Sequence, residues 1–463
     1  MISPNRILPL VFASALFMEN MDSTVIATSL PAIAADLGTN PVALKLAFTT
    51  YLLSLTVFLP ISSWLADRFG AQTVFRLAVA IFTLASIACG FAHSLEYLVV
   101  ARAVQGFGGA LMVPVGRIVM LRTVPKSEYV NAMAWLTVPA LIGPLLGPPI
   151  GGFITTYFHW RWIFWMNLPF GILGLVLATW LMPNMKDKDV ARLDVKGFIL
   201  SGLGLSLTVF GMTELGQGIF PPQIIFAMIA AGAILIWVYV RHAQSTANPI
   251  LDISMLRVQT LRVSIMGGMF YRISAGAVPF LLPLMLQLGF GFTPFQSGSI
   301  TCASALGAVM MKFLAAQSLK RWGYRQLLVF NGIASSTLMA VNGLFMPTTP
   351  FLVMVSVLLF AGLLRSLQFT SLNSIAYADV TSAEVGRANG LYTVAQQLSL
   401  ALGVAVAALV LEASQFVQGV SVLGRADFAV AFVVVAAVGL ISTLFFSRLP
   451  ANAGQNLSGH VAV

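Results

Sequence analysis

The stretch LTVPALIGPLLGPPIGG, Leu136–Gly152, decides how this chain must be read. Gly143, Gly147, Gly151 and Gly152 interleave there with Pro139, Pro144, Pro148 and Pro149. In water such a run predicts a loop, because proline removes amide donors and glycine costs about 1 kcal/mol against alanine in a helix. It lies, however, inside one long apolar segment. An unpaired backbone group in lipid costs several kcal/mol, so the segment must stay mostly helical, with broken hydrogen bonds met by neighbouring helices or a wet cavity. Glycines four apart leave one helix face nearly bare, and a second helix can approach closely there. The prolines give that contact a defined bend. Two readings stay open: a packing seam, or a hinge between moving bundles.

Working outward, the whole chain carries the same apolar signature. Its 463 residues are 58% hydrophobic and 9% charged, with a mean hydropathy of +0.91, more apolar surface than a soluble core of this size hides. The chain is therefore expected to be an all-α polytopic membrane protein. Net charge is +10, but the basic residues sit in short loops between apolar runs, which is a topology signal and argues against a nucleic-acid partner. Cys89 and Cys302 both fall in apolar runs and form no metal-ligand spacing, so neither a disulfide scaffold nor a metal site is expected. The N-terminus, MISPNRILPLVFASAL, has the look of a signal peptide, yet no small-residue cleavage site follows, and it reads as a retained first span.

Runs long enough to cross about 30 Å of hydrocarbon fall at roughly 7–30, 44–66, 74–93, 97–121, 130–157, 161–183, 195–216, 221–241, 261–290, 295–319, 325–346, 350–377, 388–413 and 426–447, about fourteen helices. With a cytoplasmic N-terminus, the inner side collects Arg6, Arg68, Arg76, Arg122, Lys126, Lys186, Lys188, Arg192, Lys196, Arg241, Arg257, Arg262, Lys320, Arg321, Arg325, Arg387 and Arg448. The other side keeps Lys45, Arg161 and Arg425. This separation favours an even number of spans with both termini cytoplasmic. The aromatic cluster HWRWIFW, His159–Trp165, belongs at the outer interface.

Two charged or polar loops divide the chain: KDKDVARLD, Lys186–Asp194, and RHAQSTANPILD, Arg241–Asp252. The expected organisation is an N-terminal six-helix bundle over 1–185, two inserted helices with flanking loops over 186–245, and a C-terminal six-helix bundle with a short tail over 246–463. Short echoes support a two-fold repeat. ADRFG, Ala66–Gly70, matches LKRWG, Leu319–Gly323, and Arg102-x-x-Gln105 matches Arg365-x-x-Gln368, in the same order in each half.

Five basic residues, Arg102, Arg117, Arg272, Lys312 and Arg365, fall inside predicted spans. A charge at mid-bilayer costs at least about 2.5–3.5 kcal/mol, so such groups normally face a cavity or a partner. Among the acids, Glu19 and Asp22 lie three apart on one face of the first span. Asp22 and Arg102 lie at similar depth, and a pair between them is expected. A carboxylate that loses such a partner takes up a proton more readily, although a static pair fixing helix register would look the same. Arg117 lies near the cytoplasmic end of the same helix as Arg102, where it either faces the cavity or snorkels. Arg272, Lys312 and Arg365 belong to the second half with few acidic partners, and their excess over acids gives any central cavity a positive lean suited to anions; Arg117, Arg272, Arg365 and Gln105 are the residues expected to line it. Asp67 and Arg68, with the turn residue Gly70, are placed to cap a helix or to pair with a basic loop, latching the two halves.

Signals for an enzyme are poor. GFGGA, Gly106–Ala110, falls within a helix and is no nucleotide fingerprint. The four histidines, His93, His159, His242 and His460, are scattered, and no nucleophile has a base at a recognisable spacing.

These motifs resemble those of the major facilitator superfamily, and within it the fourteen-helix drug:proton antiporter branch of EmrB/QacA type. MENMDSTVIATSLPAI, Met18–Ile33, is similar to that branch's first-span signature, whose acid falls on Asp22. SWLADRFG, Ser63–Gly70, is similar to the loop signature after span two, implying a gating role for Asp67 and Arg68. LVVARAVQGFGGALMVPVGR, Leu98–Arg117, resembles the fourth-span signature, whose arginine, implicated in proton transfer, falls on Arg102. GPLLGPPIGG, Gly143–Gly152, resembles the antiporter signature of span five and is followed by WRWIFWMNLPFG, as in that branch. Ser63, Ala71 and Gln72 depart from the loop signature, with Arg76 as a candidate substitute. Glu19 and Arg117 resemble an MdtD-like sub-branch, whose members need not be multidrug pumps.

The resemblance implies the major facilitator fold, two six-helix bundles plus two additional helices. It implies a proton-coupled exporter of small organic molecules, with drugs or organic anions as cargo, no cofactor beyond the proton gradient, and a monomer in the lipid bilayer. Asp22, Glu19 and Arg102 would couple protons. Asp67, Arg68, Gly70, Gly143, Gly147, Pro148, Gly151 and Gly152 would gate. A membrane sensor without net flux is the reading from another class.

Overall fold

The computed structural model describes residues 4–123, 129–187, 190, 192–215, 220–381, 384–419 and 423–460; Lys126 and Lys188, and the side chains of 129–141 including Pro139, lie outside what is described. Apolar runs of 20 residues or more can satisfy their backbone in lipid only as helices, and the described chain is helical throughout its long elements. We label these α1 (Pro4–Val25), α2 (Pro41–Phe69), α3 (Ala71–Gly90), α4 (Leu95–Thr123), α5 (Tyr129–Tyr157), α6 (Trp162–Leu181), α7 (Val195–Glu214), α8 (Pro222–Ser245), α9 (Gln259–Gly289), α10 (294–322), α11 (324–342), α12 (Phe351–Ile375), α13 (Val385–Gln418) and α14 (Arg425–Phe446). The segment Pro294–Asn342 is divided into α10 and α11 by Gly323, whose φ of 66° no helix continues through. The fourteen helices follow the predicted spans to within a few residues, except that the first run ends early, in a 3-10 turn over Ile26–Thr28 and a short helix over Leu30–Asp36.

Local chemistry sets several starts. Asn40 Oδ1 accepts from Val42 N–H at 2.9 Å before α2, and Asp194 Oδ1 accepts from Gly197 N–H at 2.8 Å at the head of α7. Before α10, Thr293 and Gln296 form a reciprocal capping box with Pro294 in the first turn.

Helices α1–α6 pack on one another and α9–α14 do the same, giving two six-helix bundles. They meet along two seams, α5 against α10 and α2 against α13. The inserted pair α7 and α8 is mostly exposed, and α7 lies against both α2 and α13, across the second seam. The two-fold echo is visible in backbone detail. Gly70 and Gly323, at matching places in the two halves, both take positive φ, 96° and 66°, which L side chains rarely adopt. Gln105 and Gln368 are both wholly buried.

The Gly- and Pro-rich stretch Leu136–Gly152 lies in α5. A Cβ added to Gly143 would lie 3.0 Å from Asn20 Cβ, one on Gly147 2.0 Å from Thr24 Oγ1, and one on Gly151 2.6 Å from the Val25 carbonyl. The bare face of α5 therefore packs on α1 of its own bundle. Gly143, Gly147 and Gly151 thus serve a close contact inside one bundle. Gly152 lies between the bundles: its added Cβ would meet the Pro294 carbonyl at 2.3 Å, and one on Gly298 of α10 would meet the Pro148 carbonyl at 2.1 Å.

Candidate functional site

A buried polar centre forms where five helices of the N-terminal bundle converge. Asp22 of α1 is 3% exposed and Arg102 of α4 is 1% exposed. Arg102 Nη1 donates to Asp22 Oδ2 at 2.5 Å and to Gln105 Oε1 at 2.7 Å. Gln105 Nε2 and Asn167 Nδ2, the latter from α6, donate to Asp22 Oδ1 at 2.8 and 2.9 Å. Asn167 also donates to Ser86 Oγ of α3, which donates in turn to the Phe164 carbonyl. Tyr51 of α2 covers the guanidinium, 4.2 Å from ring centroid to Cζ. A buried ion pair survives only when its remaining donors and acceptors are met, and here Asp22 takes three hydrogen bonds. Two polar atoms nearby on the chain are left over: Glu19 Oε2 and Tyr51 Oη are buried without a hydrogen-bond partner among the described residues.

The pair expected between Asp22 and Arg102 is thus present. Gln105 was expected in a substrate cavity and instead completes this network, wholly buried. Asn167 and Ser86 were missed, because an uncharged polar residue in an apolar run carries no signal of its own.

The other intramembrane cations separate into different environments. Arg272 of α9 is 1% exposed, bonds to Tyr392 of α13 and to Asn373 Oδ1 at 3.3 Å, and lies over the Tyr392 ring. Arg117 is exposed and lies beside Phe12, Leu16 and Val113. Lys312 Nζ donates to Thr370 Oγ1 at 3.0 Å. Arg365 donates to Ser304 Oγ at 2.8 Å inside a small cavity walled by α9 to α12, within one bundle. That corrects its expected place in a cavity between bundles.

The Asp67 loop is stitched to the loop after α6. Arg122 Nη2 reaches Asp67 at 3.0 Å and Nη1 reaches Asp187 at 3.1 Å, while Asp187 N–H donates to the Asp67 carbonyl. Gly70 is held close to Asn184, whose Oδ1 would lie 2.3 Å from an added Cβ. Arg68 and Arg76 are exposed, and Gln72 Nε2 donates to the Ala178 and Thr179 carbonyls of α6. All these contacts stay within the N-terminal bundle and its flanking loop, so the expected latch between halves is not what Asp67 makes here.

A connection between the bundles occurs at the opposite face and was not foreseen. Lys45, expected in a loop, is wholly buried at the start of α2, and its Nζ donates to Glu412 Oε1 and Oε2 of α13 at 2.7 and 2.8 Å and to the Leu215 carbonyl at 3.3 Å. At the same face Gln287 Nε2 donates to the Thr28 carbonyl at 2.9 Å, and Phe295 N–H to Thr156 Oγ1 at 3.0 Å. Asp36, the last residue of the short helix between α1 and α2, gathers Arg161 at 2.7 Å, Trp160 at 3.1 Å and His159 at 3.7 Å. Burial alone would raise the Asp36 carboxyl; hydrogen bonds from Arg161 and Trp160, with the charges of Arg161 and His159, outweigh it and hold it below the ordinary carboxylate range. Toward the basic face, Asn373 and Asn389 are exposed, and a methyl on Gly386 or Gly390 would meet nothing within 4 Å.

Two helical bundles with buried charges at their centres, closed together at one face, define an integral membrane transporter rather than an enzyme. The chain belongs to the Major Facilitator Superfamily, whose family pattern matches residues 12–404 and 264–461. It is 36% identical to "Putative multidrug resistance protein MdtD" of Yersinia enterocolitica over 96% of this chain and 95% of that one. The Escherichia coli protein of the same name is 35% identical, over 97% and 95%. Among solved structures, the D-xylose-proton symporter superposes with a TM-score of 0.72 at 14% identity, covering 98% of this chain and 99% of that one, which is a likeness of fold.

Proposed function

We propose that the chain is a proton-driven exporter of small organic molecules, of the fourteen-helix drug:proton antiporter branch, acting as a monomer in the bacterial inner membrane. The basic face is then cytoplasmic with both termini, and the conformation, tied together at the opposite face, is the inward-facing one. The observation that carries this reading is the buried Asp22–Arg102–Gln105–Asn167 network. Asp22 is the proton carrier: ionised while Arg102 and the two amides hold it, and ready to bind a proton when bundle movement draws Arg102 away. Glu19, one turn earlier with an unmet buried oxygen, hands protons along the same helix face. Arg102 sets the charge state of Asp22, and Gly152, Pro148 and Gly298 form the seam along which the bundles move.

The names of the relatives favour drugs as cargo. A second reading, export of organic anions, is favoured by Arg272, whose described hydrogen-bond partners are the neutral Tyr392 and Asn373, and by the exposed Arg117. Proteoliposomes with an imposed pH gradient test both, using ethidium as a cationic probe and fluorescein as an anionic one. Gradient-driven ethidium flux supports the drug reading. Fluorescein flux lost in Arg272→Ala supports the anion reading, and flux of either probe that ignores the gradient contradicts proton coupling.

A further inference from the structure

The two bundles treat their central arginines differently. In the N-terminal bundle, the first helix α1 presents Asp22 to Arg102 of the fourth helix α4. The matching arginine of the C-terminal bundle is Arg365 of α12, three residues before a buried glutamine as Arg102 is. Its first helix, α9, presents Tyr271, Ser274, Ala275 and Val278 there, all uncharged. No carboxylate among the described residues lies within ion-pair distance of Arg365, and its one described hydrogen bond goes to the neutral Ser304 Oγ. Arg365 is half-buried, a guanidinium stays charged at any accessible pH, and a charge held inside an apolar bundle without a counterion is costly.

In place of the carboxylate there is space. Arg365 lines a cavity of about 20 Å³ together with hydroxyl and amide side chains, against roughly 10–15 Å³ needed for a single water-sized body. Ser336 Oγ, on a residue 2% exposed, has no hydrogen-bond partner among the described residues, and a hydroxyl can donate into the space. Ser335 and Tyr271 share one hydrogen bond at 2.8 Å, so each oxygen keeps further capacity. Ser, Tyr and Arg groups converging on a small enclosed space supply donors to one charge of negative sign, while the volume excludes a carboxylate-bearing organic molecule.

We propose that this cavity binds one small monovalent inorganic anion, of chloride size, as the exchangeable counterion of Arg365. The site is separate from the proton-coupling network and does not depend on the direction or cargo of transport. In it the anion takes N–H donation from Arg365 and O–H donation from Ser336, replacing by a ligand the charge that Asp22 supplies covalently in the other bundle.

The test is thermal unfolding of the purified full-length protein in detergent, in sodium chloride against sodium gluconate at matched ionic strength. Chloride should raise the midpoint saturably by about 2–5 °C, as a ligand of the native state does. Arg365→Met should abolish the response, and Ser336→Val, which keeps the charge, should weaken the half-saturating concentration about tenfold. If Arg365→Met does not fold, Ser336→Val and the anomalous signal of wild-type crystals grown in bromide decide. A bromide peak beside Arg365 supports the site. Equal midpoints in chloride and gluconate, a chloride response that survives in Arg365→Met, an unchanged half-saturation in Ser336→Val, or a bromide-soaked cavity without a peak would each overturn it.

Discussion

Lys45 Nζ and Glu412 Oε1 lie 2.7 Å apart across the α2–α13 seam, with Lys45 wholly buried and Glu412 9% exposed. Glu214, at the end of the inserted helix α7, is 1% exposed, one residue before the Leu215 carbonyl that also takes a hydrogen bond from Lys45. One cation therefore joins both bundles and the inserted pair. Rocking that opens this face must pull Lys45 from Glu412, and the end of α7 is the other group in its reach.

Removing one member of such a buried pair strands the other, at about 3–5 kcal/mol. Glu412→Gln is therefore expected to lower the unfolding midpoint and to raise labelling of cysteines introduced at this face. The double variant Lys45→Met/Glu412→Gln should recover most of the lost stability. Single and double variants of equal stability would show that the pair does not tie the bundles.

At the other seam the bundles touch backbone to backbone. An added methyl on Gly298 would lie 2.1 Å from the Pro148 carbonyl, which no rotamer change relieves, and overpacking of this kind costs about 1–3 kcal/mol. Gly298→Ala should reduce gradient-driven ethidium flux about tenfold or more. Gly386→Ala, with nothing within 4 Å, is the control and should leave flux unchanged; equal flux in both variants would remove the seam from the transport cycle.

Asn167 gives a graded test of the buried centre. Asn167→Leu leaves the ion pair but takes one of the two amide donors from Asp22 Oδ1, a loss of about 1–3 kcal/mol. Thermal unfolding should register it, and gradient-driven flux should fall more than probe exchange without a gradient. A variant as stable and as well coupled as the wild type would make Asn167 a bystander.

The Asp36 cluster predicts a pH response at the face where the bundles are tied together. Its carboxyl is held below the ordinary value by Arg161 and Trp160 against the opposing effect of burial. A depressed carboxyl contributes stability that is fully present above its unfolded pKa, ordinarily 3.8, and is lost as pH falls through the lower folded one. With His159→Gln removing the imidazole 5.8 Å from the Trp160 ring, Trp160 fluorescence should therefore stay constant from about pH 7 to pH 5 and change only in stronger acid. Arg161→Ala in the same background should move the transition to higher pH, and a transition near pH 6 in the absence of His159 would contradict the assignment.

What could be read from the residues follows from cost. Spans were legible because lipid tolerates little besides long apolar runs, and Asp22 and Arg102 because charges in such runs are few and expensive. Lys45 escaped because it lies in the opening turns of α2, where a lysine reads as part of the preceding loop. Asn167 and Ser86 escaped because neutral polar side chains are cheap enough to occur anywhere, and Gln105 was singled out for a substrate cavity because nothing in its spacing says which way α4 turns it. The bare face of Gly143, Gly147 and Gly151 was plain, but which helix it met depended on rotation of α5, which composition leaves free; the contact is with α1. Arg365 was visible as a charge, whereas its lack of a carboxylate is a property of three-dimensional packing.

The proton-carrying role of Asp22 is read by ethidium flux through Asp22→Asn in proteoliposomes under an imposed pH gradient. That role requires the gradient-driven flux to fall at least about tenfold, equivalent to about 1.4 kcal/mol or more, while ethidium exchange without a gradient persists. Full gradient-driven flux in Asp22→Asn would contradict it.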